Sequence, residues 1–170
     1  MSNAVSTEHS EASFKRQPNS RFCFVCGLES PVGLKLRFSD NGADEVRACC
    51  TIDARYQGYP GVVHGGVVAA MLDETAGRVT MISNPDRFMM TGRMTIRYRK
   101  PVPTETELTL IGHLIRDRGR TAQAHSEIRL PDGTLAAEAE LTLIEIPREL
   151  IPDEDLETLG WRVYPDDPIE

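Results

Sequence analysis

One segment constrains this chain more than any other. From about His64 to Ile82, Val68, Met71, Leu72, Thr75 and Val79 recur at spacings of three and four residues. That period of 3.6 gives a helix with one core-facing stripe. After it the period changes to two. Met94, Ile96 and Tyr98 alternate with Arg93, Thr95, Arg97 and Arg99, and further along Leu135, Ala137, Ala139, Leu141 and Leu143 alternate with Glu138, Glu140 and Thr142. Strands are expected at about 89–100, 107–117, 120–130 and 135–146, with tight turns at Asp117-Arg-Gly119 and Pro131-Asp-Gly133. Before the helix, Leu34, Leu36 and Phe38 face Val46, Ala48, Cys50 and Ile52 across a turn at Asp40–Gly42, which reads as a hairpin. The order is ββαββββ, and the fold class is α+β: one long helix against an antiparallel sheet of about six strands.

Outside this body the pattern lapses. Residues 1–20 are polar and without period, and are expected to form a disordered tail. Residues 21–146 form the domain. Residues 147–170 are an acidic extension, with eight acids against Arg148 and Arg162, a short helix expected over Pro152–Leu159, and Trp161, Val163 and Tyr164 able to dock on the body. At 170 residues a single domain is expected. The longest apolar run, Val67–Leu72, is far short of the ~20 residues that cross a bilayer. With no export signal at the start, the expectation is a cytoplasmic protein without membrane attachment.

Net charge is −7, most of it in the C-terminal extension. A pI near 5.2 argues against a general nucleic-acid binder. The stretch 87–120 is nevertheless basic, with eight bases against Glu105, Glu107 and Asp117. Four cysteines are present. Cys23-Phe-Val-Cys26 has metal or redox spacing, but no second Cys-x-x-Cys follows, and His64, His113 or His125 would have to complete a structural zinc site. The expected reading is a packed turn ended by Gly27 and Pro31, with neither a metal nor a disulfide.

Chemistry is concentrated in Gly61-Val-Val-His64-Gly65-Gly66-Val-Val-Ala-Ala-Met-Leu-Asp73-Glu74. A helix beginning near Gly65 leaves amide N–H groups at its positive end, which suits a developing oxyanion. Asp73 offers a carboxylate as general base or as nucleophile, with Glu74 the neighbouring alternative. His64 is expected to hold the loop at the helix start by hydrogen bonding, in preference to acting as a base. Gly66, Ala69, Ala70, Gly77 and Thr80 surround Asp73 with small side chains, as for a close helix contact. Nine residues of helix advance ~13.5 Å and turn about 900°, so His64 and Asp73 of one chain stand at different levels on opposite sides. A homodimer, and beyond it a dimer of dimers, would bring the helix start of one chain to Asp73 of another.

This segment, together with Met94-Thr-Ile-Arg-Tyr98-Arg-Lys-Pro101-Val-Pro103, resembles the hotdog-fold acyl-CoA thioesterases, of the phenylacetate-pathway and 4-hydroxybenzoyl-CoA thioesterase type. The resemblance covers about residues 22–146. It implies a helix wrapped by the sheet, hydrolysis of an acyl-CoA thioester, and a site shared between two subunits. It implies Asp73 as the catalytic carboxylate. It also implies supporting roles for Gln57, which would orient the thioester or the acid, and for Thr91, which would position water. Coenzyme A would enter as part of the substrate, with no further cofactor, and Arg99, Lys100 and Arg120 are the expected contacts for its phosphates. Two other readings stand beside hydrolysis: a non-catalytic acyl-CoA binding or sensor module, and a hotdog hydratase or dehydratase.

Overall fold

The computed structural model describes residues 14–151, 156–158 and 160–165. In chain order its elements are β1 (Lys15–Arg16), β2 (Ser39–Asp40), β3 (Glu45–Thr51), β4 (Gln57–Tyr59), β5 (Val62–Val63), α1 (Gly65–Arg78), β6 (Met89–Tyr98), β7 (Glu107–Asp117), β8 (Thr121–Arg129) and β9 (Leu135–Glu145). Seven of the strands make one antiparallel sheet in the order β1-β2-β3-β7-β8-β9-β6, and β4 and β5 make a separate small hairpin. The helix lies across the sheet. Every residue of its expected stripe, Val68, Met71, Leu72, Thr75 and Val79, is buried. They pack in one core with Leu108 and Leu110 of β7, Ala122, Ala124 and Ile128 of β8, and Ala137, Ala139, Leu141 and Leu143 of β9.

Two features seat the helix closely. A Cβ on Gly112 of β7 would stand 2.7 Å from the Thr75 carbonyl oxygen, so only a glycine lets the strand approach here. Ser126 of β8 is wholly buried and donates its hydroxyl to the Leu72 carbonyl at 2.8 Å, pairing a polar group the core would otherwise strand.

The expected helix and the four strands after it are found, with the helix closing as a short 3-10 turn over Val79–Met81. The first hairpin is reduced. Its first arm joins the sheet only over Ser39–Asp40, because Leu34 and Leu36 give their N–H groups to Phe24 and Val25 carbonyls and Lys35 takes a φ of 58°. The expected disordered tail is also corrected where the residues are described. Phe14–Ser20 run along the sheet, with Gln17 and Asn19 buried. Asn19 Nδ2 donates to the Cys26 and Leu36 carbonyls at 2.7 and 2.8 Å, and Gln17 Nε2 donates to Asp40 Oδ2 at 2.9 Å. Polar composition misled because these amides are buried with their partners. Residues 1–13 lie outside the described residues, as do 152–155 and 159 of the helix expected over Pro152–Leu159; residues 156–158 form a turn. Beyond it the extension docks as expected: Arg162 bridges to Asn19, and the Trp161 ring meets Phe88 edge-on with centroids 5.3 Å apart.

Candidate functional site

The start of α1 is built by His64 and Tyr98. His64 is the N-cap, and its Nδ1 accepts the Gly66 N–H at 3.0 Å. This is the loop-holding arrangement, and it occupies the ring nitrogen nearest the helix. Val67 and Val68 donate to the His64 carbonyl. Among the described residues, no hydrogen bond is made by the Gly65 N–H, which leaves that amide unpaired at the positive helix end. From β6, the Tyr98 hydroxyl donates to the Gly65 carbonyl at 2.9 Å and fixes the turn from the other side.

Beside this helix start lies a cleft of about 820 Å³. Val62, Val63, Val68 and Val102 give it an apolar floor, Gly65 and His64 one wall, and Arg99 and Lys100 its cationic rim. Arg99 is held in place by Glu138 of β9, to which its Nε donates at 3.0 Å, and that ion pair keeps the Glu138 carboxyl below its ordinary range.

Asp73 is placed elsewhere. It is half-buried two turns into α1, and the Thr91 hydroxyl of β6 donates to its Oδ1 at 2.5 Å. The structure brings Asp73 and Thr91 together, a pairing the sequence reading did not make, and keeps Asp73 apart from Gly65 within the chain, as the helix geometry requires. The two groups lean on β6 at Thr91 and at Tyr98, positions ~23 Å apart at about 3.3 Å per strand residue. The small face around Asp73 is uncovered at its end, since among the described residues a Cβ on Gly77 would meet nothing beyond its own helix backbone within 4 Å.

The remaining expected residues separate. Gln57 is exposed in the β4–β5 hairpin, and its Oε1 accepts the Gly61 N–H at 3.2 Å, closing the turn in which Gly61 holds a φ of 77°. Arg120 lies away from Arg99 and Lys100, in a second cleft with Asn84, Arg87, Phe88 and Glu145. Glu74 is directed away from Asp73. Its Oε1 accepts from Arg78 Nε at 2.9 Å, and its Oε2 lies 3.7 Å from the Cys23 sulfur. The Cys26 thiol beside Cys23 holds the Cys23 thiol down to about 7, against the opposing effect of burial. Sequence reasoning overlooked Tyr98 as a part of the site. Its signal was a hydroxyl-tipped side chain at the end of the otherwise apolar face of β6.

Residues 60–137 match the model of the thioesterase superfamily. The chain is 30% identical over 126 residues to an acyl-coenzyme A thioesterase, THEM4, of Rattus norvegicus, a match covering 72% of this chain and 53% of that one. The chain therefore spans about half the length of the curated relatives it matches. The crystal structure of protein RHA08564, a thioesterase superfamily protein, superposes with a TM-score of 0.65 at 32% identity, covering 73% of this chain and 60% of that one. A hypothetical thioesterase from Streptococcus pneumoniae, crystallised with coenzyme A, shares the fold, with a TM-score of 0.56 at 20% identity over 61% of this chain and 79% of that one.

Proposed function

The hotdog domain of this chain belongs to the thioesterase superfamily, and from that premise we propose that it hydrolyses acyl-CoA thioesters to the free acid and coenzyme A. The observation that carries the reading is the Asp73 carboxylate held at 2.5 Å by the Thr91 hydroxyl on an otherwise small and open helix face. The hydrogen bond fixes the direction of the carboxylate. Asp73 takes a proton from the attacking water as the water oxygen bonds to the thioester carbon. The carbonyl electrons move to oxygen, where a Gly65 N–H stabilises the anion by about 2.7 to 4 kcal/mol. Collapse of the tetrahedral intermediate re-forms the carbonyl and breaks the carbon–sulfur bond, and the leaving thiolate takes the proton from Asp73, which releases coenzyme A and restores the carboxylate. Direct attack by Asp73, followed by hydrolysis of the resulting anhydride, is the second route open to the same carboxylate.

The acid and the donor belong to different subunits in this proposal. β6 is one edge of the sheet and, at ten residues, far longer than β1 at the other edge, with both Met90 and Tyr98 exposed. Such an edge is a template for pairing with a second copy. Antiparallel pairing of two β6 strands would turn the Thr91 end of one toward the Tyr98 end of the other, joining Asp73 to the partner's Gly65. The same operation would carry Arg120 toward the cleft rimmed by Arg99 and Lys100, giving the phosphates of coenzyme A cations from both chains. Gln57 in this reading shapes the loop over that cleft, and no resident cofactor is called for.

A panel of short, long and aryl acyl-CoA esters, with thiol release followed, tests the proposal. Turnover of at least one ester class is expected. Tight binding without turnover would instead favour the sensor module, and hydration of an enoyl thioester with its thioester bond intact would favour the hydratase.

A further inference from the structure

Glu74 leads away from the proposed hydrolytic site to a second cluster. The turn Cys23–Gly27 folds onto the outer face of α1, and the donor atoms of Cys23, Cys26 and Glu74 all lie within 4.8 Å of one another. Both cysteines are free thiols, Cys26 wholly buried and Cys23 partly so. The turn is shaped around the sulfur. The Val25 N–H donates to Cys23 Sγ at 3.3 Å, the Gly27 N–H closes back on the Cys23 carbonyl at 2.8 Å, and a Cβ on Gly27 would stand 2.3 Å from that oxygen. Only glycine allows a turn this tight after the second cysteine. The third donor comes from a distant element, a helix 48 residues further on that is held by its own packing on the sheet.

We propose that Cys23, Cys26 and Glu74 bind a zinc-class divalent cation, a clamp that ties the N-terminal turn to α1 at the residue next to Asp73. A thiolate sulfur about 2.3 Å and a carboxylate oxygen about 2.0 Å from a tetrahedral zinc stand roughly 3.5 Å apart, and the 3.7 Å separating Cys23 Sγ from Glu74 Oε2 is close to that spacing. Charge also closes. Binding sends two thiol protons to solvent, and two thiolates and the Glu74 carboxylate then face one divalent ion and the buried Arg78 guanidinium, for a net charge of zero. Two soft sulfurs with one carboxylate select zinc over magnesium or calcium, which take oxygen ligands. The fourth position is left for solvent. Arg78 fills a second-layer role, holding Glu74 Oε1 at 2.9 Å so that Oε2 faces the sulfurs.

The full chain, reduced, stripped with a chelator and titrated with Zn2+ alone, is expected to take up one ion per chain and to rise in melting temperature. Co2+ in its place is expected to give a thiolate-to-cobalt charge-transfer band. Cys23→Ser and Glu74→Gln, each shown folded by circular dichroism, are expected to weaken Zn2+ binding by ~10-fold or more and to diminish or shift the cobalt band. Cys49→Ser, on an exposed thiol of β3, is expected to change neither. Absence of stoichiometric Zn2+ uptake by the reduced chain, absence of the cobalt band, or an equal loss in Cys49→Ser would overturn the proposal. These readouts are independent of hydrolysis, so the clamp and the thioesterase reading fail separately.

Discussion

The two faces of α1 treat consecutive acids in opposite ways. Toward β6 the helix presents Asp73 among small residues, held by one hydroxyl and flanked at Gly77 by open space. Toward the termini it presents Glu74 and Arg78, an i,i+4 pair whose guanidinium is buried and whose carboxylate is half-buried. Arg78 is 1% exposed; it donates to the Pro18 carbonyl and lies between the Phe38 and Trp161 rings, at 4.9 and 5.1 Å from their centroids. One face has its polar group spent on holding chain segments together. The other keeps a half-buried carboxylate beside open space, and under the proposed function the contrast separates residues that maintain the fold from those that use it.

The sharpest break in that contrast is Arg78→Ala. It leaves Glu74 without its cation and removes packing from two rings, so stability is expected to fall by about 3 to 5 kcal/mol, read from the denaturation midpoint. Hydrolysis per folded molecule should change far less. Asp73→Asn is its mirror. The amide keeps the shape and can still meet Thr91, but it cannot accept the proton from water, so turnover is expected to drop by ~10²-fold or more with stability nearly unchanged. Near-native turnover in Asp73→Asn would remove the catalytic assignment, and a large loss of stability would place Asp73 with Arg78 on the structural side.

Local periodicity made the helix stripe and the last four strands legible, because each is a run with one face turned to the core, buried in the helix, β7, β8 and β9 and partly buried at Met89, Met94 and Ile96 of β6. His64 as a cap was legible from the motif, whereas Thr91, expected only to position water, was not read as the partner of Asp73. What escaped depends on partners distant in sequence. Gln17 and Asn19 are buried by carbonyls and carboxylates 7 to 61 residues away, which no local composition predicts. The basic stretch 87–120 looked like free positive charge, yet Arg87 pairs with Asp117 and Arg99 with Glu138 across strands. Glu74 read as a spare for Asp73 until the helix turned it toward Cys23. Fold therefore followed from pattern, while charge and site composition required the pairing of elements.

Cross-strand pairing also decides the next effect in size. Lys100 rims the cleft, whereas its neighbour Arg99 is committed to Glu138. Lys100→Glu is expected to raise KM for acyl-CoA about fivefold, the scale of one exposed charge contact, with kcat little altered. A truncated thioester lacking the nucleotide phosphates should show no such change. Equal effects on both substrates would mean that Lys100 acts on the fold of the cleft and not on the phosphates.

The smallest expected effect tests whether the open face is open in solution. Gly77 sits inside α1 with no atom of the described residues beyond its own helix backbone within 4 Å of an added Cβ, so for an isolated chain Gly77→Ala carries only the helix-propensity gain, about 1 kcal/mol of added stability. A second copy packed against Gly66, Ala69 and Gly77 would reverse that sign, because the added methyl meets the partner where a small residue had let two backbones approach. Sedimentation measures the association and thermal unfolding the stability, each across a range of protein concentration. The shared-site proposal predicts a weaker dimer for Gly77→Ala, with turnover falling as the protein is diluted. A variant that is more stable at every concentration, with dimerisation and activity unaltered, would show that this end of the helix face is solvent-exposed in the working enzyme, and the shared site would then rest on the β6 edge alone.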